Sequence, residues 1–95
     1  MPADPRYAEF EADAQAHGYP EVVVRSWEPG QVVAEHSHPF DAWALVVAGE
    51  MWLTVNGETR HLREGDRFQV PRGQPHAERY GPGGATYWVG RRTHT

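Results

Sequence analysis

Two histidines separated by one residue, His36 and His38, are the first candidates for chemistry in this chain of 95 residues. They lie in a predicted strand, residues 31–38, whose alternation places both imidazoles on one face. Two neutral imidazoles on one face suit a divalent metal ion, whereas two protonated ones would repel each other. An isolated His-x-His pair is more typical of surface or hydrogen-bonded histidines than of a metal site. The metal interpretation therefore depends on the residues around the pair.

Glycines, a proline and further histidines fall into two ordered segments around this pair. The first segment contains, in order, Gly30, His36, His38, Ala42 and Gly49. The second segment contains, in order, Gly65, Pro71, Gly73, His76 and Tyr80. Over residues 30–80 the chain resembles the cupin superfamily, in which a glycine precedes a His-x-His pair and a later histidine follows a Pro-x-Gly turn.

This resemblance implies an all-β fold, namely a single-domain cupin jelly-roll β-barrel with a short N-terminal α-helix. It also implies one divalent transition metal ion, drawn from Fe, Mn, Zn, Ni and Cu, held by three histidines. The implied metal ligands are His36, His38 and His76. We expect none of His17, His61 and His94 to be a ligand. A small-molecule ligand is expected inside the barrel, and small cupins commonly form homodimers.

Two positions depart from the cupin pattern. Ala42 stands where the family has a glutamate ligand, and Tyr80 stands where it has an asparagine. Without the glutamate the site consists of three neutral imidazoles, so the charge of a divalent ion is uncompensated and anionic ligands are favoured. Three-histidine iron sites are known among cupin dioxygenases, and the resemblance therefore still implies metal binding.

Two carboxylates are candidates for the missing ligand. Asp41 is adjacent to Ala42, but strand alternation sends its side chain to the opposite face unless the strand begins late or bulges. Glu78 shares a face with His76 and Tyr80, so all three side chains are expected to point into the barrel. A buried glutamate is costly unless it is paired or lies near a cation, and a wet edge with an arginine partner is the alternative. Glu78 and Tyr80 are the candidate catalytic acid and base.

The local sequence predicts the elements that position these residues. Residues 1–20 form a predicted helical segment, in which Asp4 caps the helix, Pro5 occupies its first turn and Gly18 stops it. Residues 21–95 form the predicted β-barrel domain. Short strands are expected at residues 21–27, 31–38, 42–48, 51–55, 58–63, 67–70, 76–80 and 85–92, with a loop at 81–84.

The predicted strands have distinct inner and outer faces. If the histidine pair points inward, alternation places small side chains on the inner faces of the second and third strands. These inward residues are Val32, Ala34, Ala42, Ala44, Val46 and Ala48. Small inward residues leave space for a ligand cavity. The outer face of the third strand is also apolar, with Trp43, Leu45 and Val47, so either the N-terminal helix or a second subunit is expected to cover it.

Composition restricts the chemistry further. The chain has no cysteine, which excludes disulfides and thiolate ligands, and its nine basic residues are all arginine, which excludes a catalytic lysine. A net charge of −4 and the lack of a long apolar run or signal pattern favour a cytoplasmic protein that binds neither nucleic acid nor membrane. The resemblance implies a metal-dependent enzyme, either dioxygenase-like or an isomerase, that acts on a small organic anion. A non-catalytic metal- or metabolite-binding module is the alternative.

Overall fold

The secondary structure is mainly strand, with one short helix at the beginning. The computed structural model describes residues 4–93. Helix α1 spans Pro5–Ala16. The strands are β1 Glu21–Trp27, β2 Val32–His36, β3 Asp41–Val55, β4 Glu58–Arg63, β5 Arg67–Val70 and β6 His76–Arg92. Within the described residues, no helix is long and apolar enough to cross a membrane.

The two longest strands, β3 and β6, pair antiparallel and connect two groups of strands. The first part of β3 pairs with β5 and with the last part of β6, which also pairs with β1. The last part of β3 pairs with β4 and with the first part of β6, which also pairs with β2. One apolar core contains residues from both groups, among them Phe68 and Val89 from the first and Leu53 and Leu62 from the second. Two four-stranded halves enclosing one core form the jelly roll expected from the sequence.

Strands β3 and β6 are each longer than the sequence predicts. Residues 42–48 and 51–55, predicted as two strands, belong to the single strand β3, and the predicted loop 81–84 is the middle of β6. Strand β3 shifts register on either side of Gly49. Gly49 and Gly84 both have positive φ, and a Cβ on Gly49 would collide with the carbonyl oxygen of Gly84. Bulges at closely approaching glycines, rather than turns, therefore carry the chain between the two halves.

Helix α1 packs on the outer face of the sheet. Asp4 caps its first turn and Gly18, with φ of 89°, follows its last turn, as predicted. The Phe10 ring lies 5.2 Å from the ring of Trp43 on β3. We call this packing the outer cluster: Phe10, Ala14, Tyr19, Val47 and Trp88, with Tyr7, Val22, Trp43 and Leu45 packed against them. Of the two covers expected for this face, the helix is the one that the fold supplies.

The prediction that six small residues line the inner face is wrong for three of them. Val32 is 69% exposed, and Ala34 and Ala48 are also exposed. Strand β2 shifts register against β6 before His36, and β3 shifts register before Ala48. Each irregularity inverts the alternation on which the expectation rested. The remaining predicted inward residues are buried: Ala42, Ala44 and Val46.

Candidate metal centre

Three histidines meet where β2 ends and β6 begins. His36, the last residue of β2, pairs across the sheet with His76, the first residue of β6. His38 follows in the connecting segment, where its carbonyl oxygen accepts a hydrogen bond of 2.9 Å from the N–H of Gly73. One ring nitrogen from each histidine lies within 4.8 Å of those of the other two. The fold therefore brings together the three residues that the sequence singles out, here called the histidine triad.

Backbone carbonyl groups orient two of the three rings. Nδ1 of His36 lies 2.8 Å from the carbonyl oxygen of Ala34, and Nδ1 of His76 lies 2.9 Å from that of Gln74. Because a carbonyl oxygen only accepts, each Nδ1 donates, and in a neutral ring Nε2 is left with a lone pair. Nε2 of His36 lies 3.1 Å from Nε2 of His38. Imidazole nitrogens gathered this closely, with carbonyl partners behind them, fit a divalent transition metal ion.

The surroundings of His38 favour its neutral form. Burial lowers the pKa of His38 below the ordinary value of 6.5, and the positive charge that His36 and His76 can carry lowers it further. Arg91 acts in the same direction and Glu78 opposes it. Neutral imidazole is the form that binds a metal, so this environment keeps His38 competent as a ligand at neutral pH.

Glu78 contributes a buried carboxylate beside the triad. It is only 6% exposed, so the wet barrel edge considered as an alternative is wrong. Its Oε2 lies 3.7 Å from Nε2 of His36 and 3.6 Å from Nε2 of His76, which is too far for a direct hydrogen bond. The hydroxyl of Tyr80 donates a hydrogen bond to Oε1. A cation at the triad would offset the cost of burying this carboxylate.

Tyr80 lies behind Glu78. It is 1% exposed, and its ring stacks on that of Trp27 with 5.1 Å between the centroids. Burial raises the pKa of Tyr80 far above that of free tyrosine, and the neighbouring Tyr87 and Glu78 raise it further. Tyr80 therefore stays protonated as the donor that orients Glu78.

Asp41, the other carboxylate considered for the site, is engaged elsewhere. Its Oδ1 accepts a hydrogen bond of 2.8 Å from the backbone N–H of Arg72, and its Oδ2 lies 3.1 Å from the guanidinium of Arg92. These contacts hold the loop after β5 against the beginning of β3. Because Gly73 in that loop bonds to the carbonyl of His38, Asp41 supports the site from outside.

The other histidines lie apart from the triad or outside the description. Nε2 of His61 is 2.8 Å from Oε2 of Glu50, and its ring stacks on Trp52. His17 is exposed at the end of α1, with Nδ1 2.7 Å from the carbonyl oxygen of Asp13. His94 lies outside the described residues.

The triad lines a cavity of about 110 Å³ between the two halves of the barrel. The apolar part of its wall includes Ala42, Phe68, Val70 and Val89. Its polar wall includes Arg25, Glu78, Tyr87 and Arg91. Burial raises the pKa of Tyr87 to about 12, so this phenol is protonated at neutral pH. The cavity is therefore small and mostly apolar, with ionic groups at defined points.

Sequence reasoning missed the two arginines in this cavity. Arg91 lies directly across from Ala42 in the pairing of β3 with β6, and Arg25 lies across from Tyr87. The available signal was alternation, since residues 87, 89 and 91 share one face of a strand. That signal becomes usable only when the inward orientation of one of these residues is known.

Comparisons with known proteins agree with the jelly-roll fold. The family model of the cupin domain matches residues 23–89. An uncharacterized HTH-type transcriptional regulator of Haemophilus influenzae is 50% identical over 36 residues, which is 38% of this chain and 12% of that protein. The crystal structure of SPY1581, a conserved Streptococcus pyogenes protein of unknown function, has a TM-score of 0.68 at 28% identity and covers 78% of this chain and 64% of that one.

An enzyme with a metal centre is also among the similar structures. Oxalate decarboxylase of Bacillus subtilis, which has Mn(II) centres, matches with a TM-score of 0.63 at 27% identity, covering 72% of this chain and 19% of that one. The chain thus spans less than two thirds of the length of each of these proteins. The family match extends over more than half of this chain and includes the triad and Glu78. The chain belongs to the cupin family.

Proposed function

We propose that this cupin holds one divalent transition metal ion through His36, His38 and His76. The observation that carries the proposal is the orientation of the rings, with Nδ1 of His36 and of His76 bonded to backbone carbonyls and the Nε2 atoms turned toward one another. When bound, the ion would supply Lewis-acid or oxygen-activating chemistry. The function proposed is that of a small metal-dependent enzyme, dioxygenase-like or an isomerase.

Glu78 is the proposed acid and base of this enzyme. It lines the cavity, and the hydrogen bond from Tyr80 fixes Oε1, so that Oε2 faces His36 and His76. A carboxylate held in this way can take a proton from a ligand in the cavity and return it. Tyr80 was a second candidate for this role, and its position behind Glu78 makes it a positioning residue in the proposal.

The proposed ligand is a small organic anion. Three neutral imidazoles leave the charge of a divalent ion unchanged, and Glu78 offsets only one unit of it. Arg25 and Arg91 add positive charge to the cavity wall. An anion is therefore attracted into the cavity, most strongly where water is excluded. The similarity to an oxalate decarboxylase with Mn(II) centres supports metal-dependent chemistry on such a ligand, without assigning its reaction.

A non-catalytic binding module is the second candidate. The observation that favours it is the 50% identity, over 36 residues, to a transcriptional regulator. In this case the barrel would bind a metal or a metabolite and report its presence to a partner. The same triad and cavity serve either role, so turnover is what separates the two.

Oxygen uptake by iron-loaded protein tests the dioxygenase-like form of the proposed enzyme. We expect uptake that depends on an added diketone or thiol, falls in Glu78→Gln and persists in the matched variant Glu50→Gln. Glu50 pairs with His61 at 2.8 Å on the surface, so its substitution changes a carboxylate away from the cavity. Iron binding without uptake of oxygen would contradict the dioxygenase-like proposal, and conversion of the added compound without oxygen uptake would then separate an isomerase from the binding module.

A cytoplasmic homodimer stays a prediction. Because helix α1 already covers the outer face of β3, a second subunit would have to contact the helix or another surface as well. Sedimentation velocity at micromolar concentration tests it. A single species at the chain mass of 10.7 kDa would contradict a homodimer.

A further inference from the structure

Position 42 combines a small side chain with a cation across the sheet. Ala42 lines the cavity with a methyl group where the cupin pattern has a glutamate. Its partner in the pairing of β3 with β6 is Arg91, which lines the same cavity. Directly opposite residues of an antiparallel pair lie close enough for their side chains to meet on one face. Truncation at position 42 therefore leaves space beside a guanidinium group.

Arg91 has unused hydrogen-bonding capacity. Its Nε is buried and has no hydrogen-bond partner among the described residues. Its NH1 atom lies 4.0 Å from Oε1 of Glu21, the outer limit of an ion pair, and Glu21 is exposed. The guanidinium carbon lies 4.5 Å from the centre of the Phe40 ring. A buried donor without a partner is costly, and a bound acceptor would remove that cost.

The other residues of the cavity wall indicate which kind of ligand would supply this acceptor. Phe68, Val70 and Val89 offer apolar surface, whereas Arg25 adds a second positive charge. Glu78, on the other side, repels a second negative group placed beside it. One anionic end and an apolar body fit these surroundings better than an inorganic anion does.

We infer that the cavity binds a small organic carboxylate whose carboxylate group occupies the space beside Ala42 and is held by Arg91. The ligand thereby supplies the oxygen donor that the chain lacks at position 42. This inference deepens the proposed function and rests on it, because the carboxylate is expected to bind the metal-loaded protein. A planar guanidinium matches a carboxylate with two parallel hydrogen bonds, which favours this group over other anions.

The volume of the cavity favours small acids as probes. Its volume of about 110 Å³ is smaller than the cavity of about 150 Å³ that accommodates benzene in an engineered protein. Acids with two to four carbon atoms match this volume. Acetate and propionate are therefore suitable probes.

Calorimetric titration of acetate and propionate into zinc-loaded protein tests the inference, with sulfate as the inorganic comparison. We expect Arg91→Gln to weaken acetate binding about tenfold or more, the scale of a lost charge-assisted hydrogen bond. Ala42→Glu should abolish acetate binding while zinc binding is kept, because the new carboxylate fills the same space. The matched control is Arg79→Gln, since Arg79 stacks on Trp52 (4.1 Å) away from the triad cavity. It should leave acetate binding unchanged.

The outcomes separate this inference from the proposed function. Failure of the wild type to bind zinc would overturn the proposed metal site itself. Zinc binding with no acetate binding, or acetate binding indifferent to both Arg91→Gln and Ala42→Glu, would overturn only the inference. Sulfate binding as tight as that of acetate would overturn the assignment of a carboxylate. If Arg91→Gln does not fold, Ala42→Glu alone decides, and the absorption spectrum of the cobalt-loaded protein with and without acetate supplies an independent readout.

Discussion

The two faces of β3 are packed in opposite ways. On the outer face, Trp43 contacts Phe10 of the helix with 5.2 Å between ring centroids, and Phe10 also lies 5.9 Å from the Trp88 ring. On the inner face, Ala42 borders a cavity whose wall contains imidazoles, a carboxylate and two guanidinium groups. The outer face is thus aromatic and filled, whereas the inner face near the triad has small side chains and borders a partly open cavity with ionic groups in its wall.

This difference indicates that stability and chemistry are carried by different parts of a short chain. Each aromatic pair of the outer cluster contributes about 0.5–1.5 kcal/mol beyond its burial. In contrast, the buried Glu78 and the unpartnered Nε of Arg91 cost free energy. Helix α1 therefore compensates on one face for polar groups that the cavity requires on the other.

Removing an aromatic ring from the outer cluster should give the largest loss of stability. Phe10→Ala should lower the free energy of unfolding by about 3–5 kcal/mol, because the buried ring is lost and a cavity remains. Metal affinity of the folded variant should stay within about twofold of the wild type, as expected for distant sites. Urea unfolding and calorimetry measure the two quantities. Val24→Ala, at a 53% exposed position, is the control. A loss below about 1 kcal/mol would contradict the stabilising role of the helix.

Glu78→Gln should have the reverse effect of Phe10→Ala, weakening metal binding more than it lowers stability. We expect metal affinity to fall about 10–100-fold, the range for losing a group next to a metal, with a smaller change in unfolding free energy than Phe10→Ala causes. The surface variant Glu50→Gln should leave metal affinity unchanged. If Glu78→Gln destabilised the metal-free protein strongly and left metal affinity intact, Glu78 would be a structural residue.

Tyr80→Phe should have a smaller effect in the same direction. The variant keeps the ring that stacks on Trp27 and removes only the hydroxyl that donates to Glu78. Metal affinity should fall about tenfold, the lower end of the range for an outer hydrogen-bond partner. Tyr7→Phe, in the outer cluster, is the control. Equal metal affinity in wild type and Tyr80→Phe would show that Glu78 is oriented without Tyr80.

The pH dependence of stability should give the smallest effect. Because the pKa of His38 is lower in the folded protein than its ordinary 6.5, the unfolded chain binds the proton more readily. The contribution of neutral His38 to the free energy of unfolding is therefore fully present above pH 6.5 and is lost as the pH falls below that value. The melting temperature of metal-free protein should decrease between pH 7 and 5, and less so in His38→Gln. Identical slopes in the two proteins would contradict this account.

The sequence predicts the helix, most strand positions and the triad, but not the continuity of β3 and β6 or the contacts that depend on long-range pairing. Asp4, Pro5 and Gly18 specify the helix through local capping, and the motif spacing is enough to select His36, His38 and His76. The predicted inward orientation of Val32 and Ala34 is wrong because a bulge precedes His36, and strand alternation does not reveal bulges. Arg91 escaped prediction because its position opposite Ala42 exists only once β6 pairs with β3.

Calorimetric titration of zinc into wild type and into His36→Ala, His38→Ala, His76→Ala and His61→Ala tests the central claim most directly. The account predicts one ion per chain and a loss of affinity of more than about 100-fold in each triad variant, beyond the effect of an outer hydrogen-bond partner. His61→Ala should bind as the wild type does, since His61 lies on the surface beside Glu50. No binding by the wild type, or binding indifferent to all three triad substitutions, would contradict the metal centre.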